Sequence, residues 1–122
     1  MSQEQFQIQV KIEQMMEYGY KAVLQFPKHA KHVEAAEIRL SMMRMLELAV
    51  NANVSREHRL KIQAMTELDK KLQVLLTQLR LVMRLEFLPI KKYEHWSKLL
   101  SEIGCMLGGW FKRAQKGKSV AT

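Results

Sequence analysis

Between Met65 and Val82 the sequence sets Met65, Leu68, Leu72, Leu75, Leu79 and Val82 at alternating steps of three and four. A strand changes face at every residue and cannot keep that set together, whereas a helix of 3.6 residues per turn lines it up as one stripe. Val74, Leu76, Leu81, Met83 and Leu85 widen the stripe beyond a two-helix seam, so this helix needs more than one neighbour.

The punctuation supplies the neighbours. The chain has 122 residues with five Gly and two Pro, which favours a few long helices over many short strands. A first helix is predicted from about Gln3 to Gln25, carrying Ile8, Ile12, Met15, Met16, Val23 and Leu24. The alternation Phe6, Ile8, Val10, Ile12 also permits a strand there. Phe26-Pro27 closes this helix, and Pro27 serves as the first position of a second running to about Ala52. On that helix Ala36, Leu40, Met43 and Glu47 mark one face and Ile38, Met42, Met45 and Ala49 another, so neighbours are expected on two sides. Asn51-Ala52-Asn53 supplies the stop and Ser55 the cap of the third helix. Pro89 opens a fourth, where Tyr93, Trp96, Leu100, Ile103, Leu107 and Trp110 repeat the rhythm. The expectation is an all-α, antiparallel up-down four-helix bundle over residues 1–115, followed by a basic, disordered tail at 116–122.

The formal charge is +8 and uneven. Residues 1–60 hold eight Lys/Arg against seven Asp/Glu; residues 61–122 hold twelve against five. A basic half suits a polyanion, either nucleic acid or an anionic membrane surface, and equally a plain solvated surface. Lys70, Gln73, Thr77, Arg80 and Arg84 form an acid-free line opposite the apolar stripe of the third helix. Lys91, His95, Lys98, Glu102, Cys105 and Lys112 form a similar line on the fourth. Such lines suit phosphate contact, which needs charge and reach and little shape. With Trp96 and Trp110 in the seam, aromatics free to stack on bases are not evident. Arg39 and Arg44 are weaker candidates, with Glu37 and Glu47 in helical reach. The segment GGWFKRAQKGK sets aromatic and basic residues side by side as interfacial segments do, although the bundle core accounts for the same aromatics.

No catalytic motif is present: no Gly-rich phosphate loop, nucleophile elbow or His-Glu-x-x-His. His29 and His32 are three apart but lack a completing ligand at a recognisable spacing, so no metal and no cofactor is expected. Lone Cys105 reads as a small buried hydrophobe and excludes an internal disulfide. No apolar run approaches a membrane span, and the N-terminal segment lacks the pattern of a signal peptide. A cytoplasmic protein without a membrane is the expectation. Nine methionines and doubled stripes exceed what one internal seam needs and favour a homo-oligomer. Gly104, Gly108 and Gly109 cost about 1 kcal/mol each within a helix. They suggest close approach of a neighbouring helix or a bend, with Trp110 anchoring the fourth helix.

KYEHWSKLLSEIGCMLGGWFKRAQKG (92–117), FPKHAKHVEAAEIRLSMMRMLELAVNA (26–52) and LDKKLQVLLTQLRLVMRLEFL (68–88) resemble the accessory variability determinant (Avd) family of diversity-generating retroelements. The sharpest element is Glu102-Ile103-Gly104 with Met106-Leu107-Gly108-Gly109-Trp110. Cys105 departs from it, standing where the family pattern carries a basic residue. A related branch, found in ribosomal-RNA intervening sequences, carries Asn-Ile-Ala-Glu-Gly where this chain reads LAVNA. The resemblance implies four-helix bundles assembled as a pentameric barrel, without enzymatic activity. It also implies binding to the reverse transcriptase and to nucleic acid (template RNA and cDNA) in support of mutagenic reverse transcription. Expected contacts to phosphate or polymerase are Lys70, Arg80, Arg84, Lys91, Lys92, Lys98, Lys112, Arg113 and Lys116, with Arg39 and Arg44 behind them. The alternative is a helical protein–protein adaptor with no nucleic-acid role.

Overall fold

Both prolines fall in links between helices, as their missing N–H requires. The structure, a computed structural model, describes the backbone of residues 3–121 and the side chains of residues 3–115. Helix α1 is Gln3–Val23, α2 Glu34–Val54, α3 His58–Arg84 and α4 Ile90–Ala121, with a 3-10 turn at Lys28–Ala30. The N-terminal alternation resolves as helix, and there is no strand among the described residues.

Two boundaries differ from expectation. Pro27 does not start α2: its extended backbone (φ −54°, ψ 149°) leads into the 3-10 turn, where the Ala30 N–H donates to the Pro27 carbonyl at 2.9 Å. Phe26 and Ala30 are both buried, so the link is pinned to the core and α2 begins only at Glu34. Ser55 does not cap α3 either; its Oγ donates back to the Asn51 carbonyl at 2.7 Å and closes α2. The end of α3 is a Schellman-type cap. Glu86 takes the left-handed conformation (φ 65°), and the Phe87 N–H reaches the Val82 carbonyl at 2.9 Å.

Each helix offers an internal seam at three-four spacing. Ile8, Ile12, Met15, Gly19 and Ala22 of α1 continue to Phe26; Ala35, Ile38, Met42, Met45, Ala49 and Ala52 serve α2. Met65 to Val82 serve α3, and Trp96, Leu100, Ile103, Leu107 and Trp110 serve α4, all buried as the rhythm implies. Helices pack in the cycle α1–α2–α3–α4–α1, which leaves α2 and α4 on one diagonal of a four-helix bundle. Polar pairs fix the antiparallel register. Gln5 near the start of α1 donates to the Ala52 carbonyl near the end of α2, and Asn53 Nδ2 donates to Gln9 Oε1 at 2.6 Å. Ser41 donates to Gln78 across α2 and α3 at 2.8 Å. Lys11 pairs with Glu102, and Arg113 with Glu4, across α1 and α4.

Among the described glycines the tightest surroundings are those of Gly19 in α1. A Cβ on Gly19 would lie 2.5 Å from the Trp96 ring and 2.6 Å from Met42 Sδ. Trp96 is fully buried there, and its indole N–H is directed at Met15 Sδ at 3.3 Å. By contrast a Cβ on Gly108 meets nothing within 4 Å, one on Gly104 only just reaches Leu72, and one on Gly109 meets Arg113. Within the protomer, then, no neighbouring helix presses on Gly104, Gly108 or Gly109. Trp110 is buried and meets Phe111 edge-on at 5.3 Å between ring centroids.

Candidate nucleic-acid interface

The α3 seam faces inward, so the residues about half a turn away face solvent. Lys70, Gln73, Thr77, Arg80 and Arg84 are all exposed. Lys70 sits 3.5 Å from Glu67, one turn earlier, so the line is acid-free but that cation is not. Arg80 and Arg84 pair with no carboxylate among the described residues.

On α4, Lys91, His95, Lys98, Cys105 and Lys112 are exposed and Glu102 half-buried. Cys105 is therefore not the buried hydrophobe its neighbours suggested: it follows Ile103 by two positions, which turns it off the seam. Glu102 is drawn out of this line by α1. Its carboxylate lies 3.0 Å from Lys11 Nζ, and that hydrogen bond and charge, with Lys98 and His95 adding to them, hold its pKa below the ordinary value of 4.5. Lys91, Lys98 and Lys112 form no ion pair with a carboxylate among the described residues, although the Lys98 charge acts on Glu102. Lys92 is half-buried and donates to the side chain of Gln25 in the link after α1, and Arg113 pairs with Glu4 of α1, so both first serve internal contacts of α4. Arg44 pairs with Glu47 at 2.8 Å as its spacing implied, while half-buried Arg39 has no carboxylate partner among the described residues. Lys116, like the expected tail at 116–122, lies outside the residues whose side chains are described.

The candidate cations thus fall into two groups. Arg80, Arg84, Lys91, Lys98 and Lys112 lie on adjacent helices α3 and α4 and are free for an external anion. Lys70, Lys92, Arg113 and Arg44 have internal partners that an anion must compete with. Arg84 ends α3 and Lys91 lies in the first turn of α4, while Glu102 and His95 turn the α4 line toward α1. Phe6 and Tyr20 of α1 are the exposed Phe, Tyr or Trp side chains among the described residues, and neither is on α3 or α4.

Other polar features are structural. Tyr18 lies between His95, at 4.5 Å between ring centroids, and Trp96, and burial raises the pKa of its phenol. His29 packs edge-on against Phe87 at 5.2 Å. No group of three His, Cys, Asp or Glu among the described residues could hold a metal ion. No described helix is long and apolar enough to cross a membrane.

A family model described as bAvd-like matches residues 6–114, which takes in α2 and α3 and most of α1 and α4. The chain belongs to the bAvd-like family. The match takes in the α4 segment through Trp110 and both lines of free cations, and the family fits an accessory role in diversity-generating retroelements. No curated protein matches this bAvd-like chain.

Proposed function

We propose that this bAvd-like protein is a non-catalytic accessory factor of a diversity-generating retroelement. It assembles with copies of itself and binds both the reverse transcriptase and nucleic acid during mutagenic copying of template RNA. The observation that carries this reading is the set of five cations, Arg80 and Arg84 on α3 and Lys91, Lys98 and Lys112 on α4, that stand exposed and form no ion pair with a described carboxylate. Free cations on rigid helices release counterions when they meet phosphate, so affinity is electrostatic, weakly sequence-specific and steeply salt-dependent. The half-buried Arg39 and the partnered Lys70, Lys92, Arg113 and Arg44 add a second set of contacts.

The test is a fluorescence-anisotropy titration of a structured RNA at 50 and 200 mM salt. Engagement of five phosphates lowers affinity by roughly 100- to 500-fold across that range, from a slope of about −0.7 to −0.9 per contact. No binding at 50 mM sinks the nucleic-acid role and leaves the protein–protein adaptor. Co-purification with the reverse transcriptase of a diversity-generating retroelement tests the polymerase contact separately.

A further inference from the structure

Among the free cations of α4 one aromatic ring stands at the surface, and it is an imidazole. Lys91, His95 and Lys98 follow one another at steps of four and three, so they share one face of the helix, and all three are exposed. His95 is the one aromatic member of either basic line. An exposed helix side chain ordinarily hops between rotamers within nanoseconds, but this one rests on a neighbour. Its ring lies 4.5 Å from that of half-buried Tyr18, tilted by 52°. Tyr18 in turn meets Trp96 edge-on at 6.2 Å, and Trp96 is fully buried with its indole N–H on Met15 Sδ. A ladder of three rings thus runs from the core to the surface. The contact that ties α1 to α4 here also holds an imidazole between two lysines.

We infer that His95, backed by Tyr18, is a stacking platform for an unpaired base of the nucleic acid whose phosphates Lys91 and Lys98 contact. This rests on the nucleic-acid reading above and narrows it to strands with exposed bases. Every base has a π-face, so a stack on an aromatic side chain adds affinity without reading sequence. Bases inside a duplex are stacked on one another and closed to such a platform. The flanking charges suit the same ligand. Lys91 and Lys98 are separated by a rise of roughly 10 Å along the helix, and their flexible side chains can reach the phosphates on either side of one stacked nucleotide. The acid on this line, Glu102, is engaged by Lys11 at 3.0 Å, which offsets its repulsion of phosphate. Glu94, next in sequence to His95, is exposed but lies about 100° round the helix from it.

The experiment is a fluorescence-anisotropy titration at low salt with a short unstructured RNA strand, a strand of abasic ribose phosphates of the same length, and an RNA duplex. Wild type should bind the base-bearing strand about five- to tenfold more tightly than the abasic strand, the lower end of what one base–aromatic stack contributes. His95→Ala should abolish that ratio and leave the abasic affinity, the duplex affinity and the salt slope as they are. His95→Phe keeps a ring and should restore the ratio. His95 is exposed, so both variants should retain wild-type helix content by circular dichroism. A side chain that only packs α1 on α4 would change all three affinities together or none of them, and either result overturns the inference. Equal wild-type affinity for the base-bearing and abasic strands also overturns it, and leaves the phosphate contacts standing. So does a base preference that survives His95→Ala. Failure to bind any of the probes removes the nucleic-acid reading itself, and the platform with it.

Discussion

Gly19 and Gly108 sit in neighbouring helices and call for opposite expectations. A methyl group on Gly19 collides with a rigid indole at 2.5 Å. Overpacking of this kind costs about 1–3 kcal/mol, against a helix-propensity gain of up to about 1 kcal/mol. Gly19→Ala therefore lowers the melting temperature. Gly108→Ala enters open space and should raise stability by about 0.5–1 kcal/mol; a lower melting point in the assembled protein would place a close contact on that glycine from another chain. The signal for Gly19 was in the sequence, since it occupies a seam position between Met15 and Ala22. Gly104 and Gly108 each follow a seam residue, which turns them toward the flank. Glu102 makes a pH-dependent prediction. Its pKa is depressed by Lys11, so the pair's contribution is complete above the unfolded carboxylate's pKa and disappears as pH falls through the lower, folded value. The difference in melting temperature between wild type and Glu102→Gln should hold from pH 7 to about pH 5 and shrink below about pH 4. A gap independent of pH would contradict that origin.

At the scale of elements, the helices were legible because each carries a three-four seam, and α3 from Met65 to Val82 is buried at every seam position. What the sequence did not disclose were the joints. Ser55 has the chemistry of a cap at either helix and faces back to Asn51; Pro27 permits a helix start, but the buried Phe26 and Ala30 hold the link in a tighter turn. Gln5 and Gln9, four residues apart, read as a polar N-terminal stretch, yet both hydrogen-bond to the end of α2. The α3 terminus departs from the usual residue choice, because Glu86 holds a left-handed backbone that glycine adopts without strain. Glu86→Gly should stabilise the protein by up to about 1 kcal/mol, read by thermal or urea melting. A loss of stability would mean that the Glu86 side chain has a role that outweighs the backbone strain.

Across the whole molecule, apolar and basic surface are separated along the α2–α4 diagonal. Leu40, Met43, Val50 and Val54 stand exposed on α2, and α4 offers Lys91, Lys98 and Lys112 with Ile90 its one strongly exposed large hydrophobic among the described residues. The charge imbalance between the chain's halves announced the basic side. Which cations are free was not legible, because only the tertiary packing of α4 brings Gln25, in the link after α1, to Lys92 and Glu4 of α1 to Arg113. The central claim is that free cations on α3 and α4 meet phosphate. Its most direct test is the slope of log affinity against log salt for a structured RNA, measured for wild type and for Arg80→Gln with Arg84→Gln. Loss of two phosphate contacts should flatten the slope by roughly 1.4 to 1.8, with assembly and melting unchanged. An unchanged slope and affinity in the double variant would contradict the account.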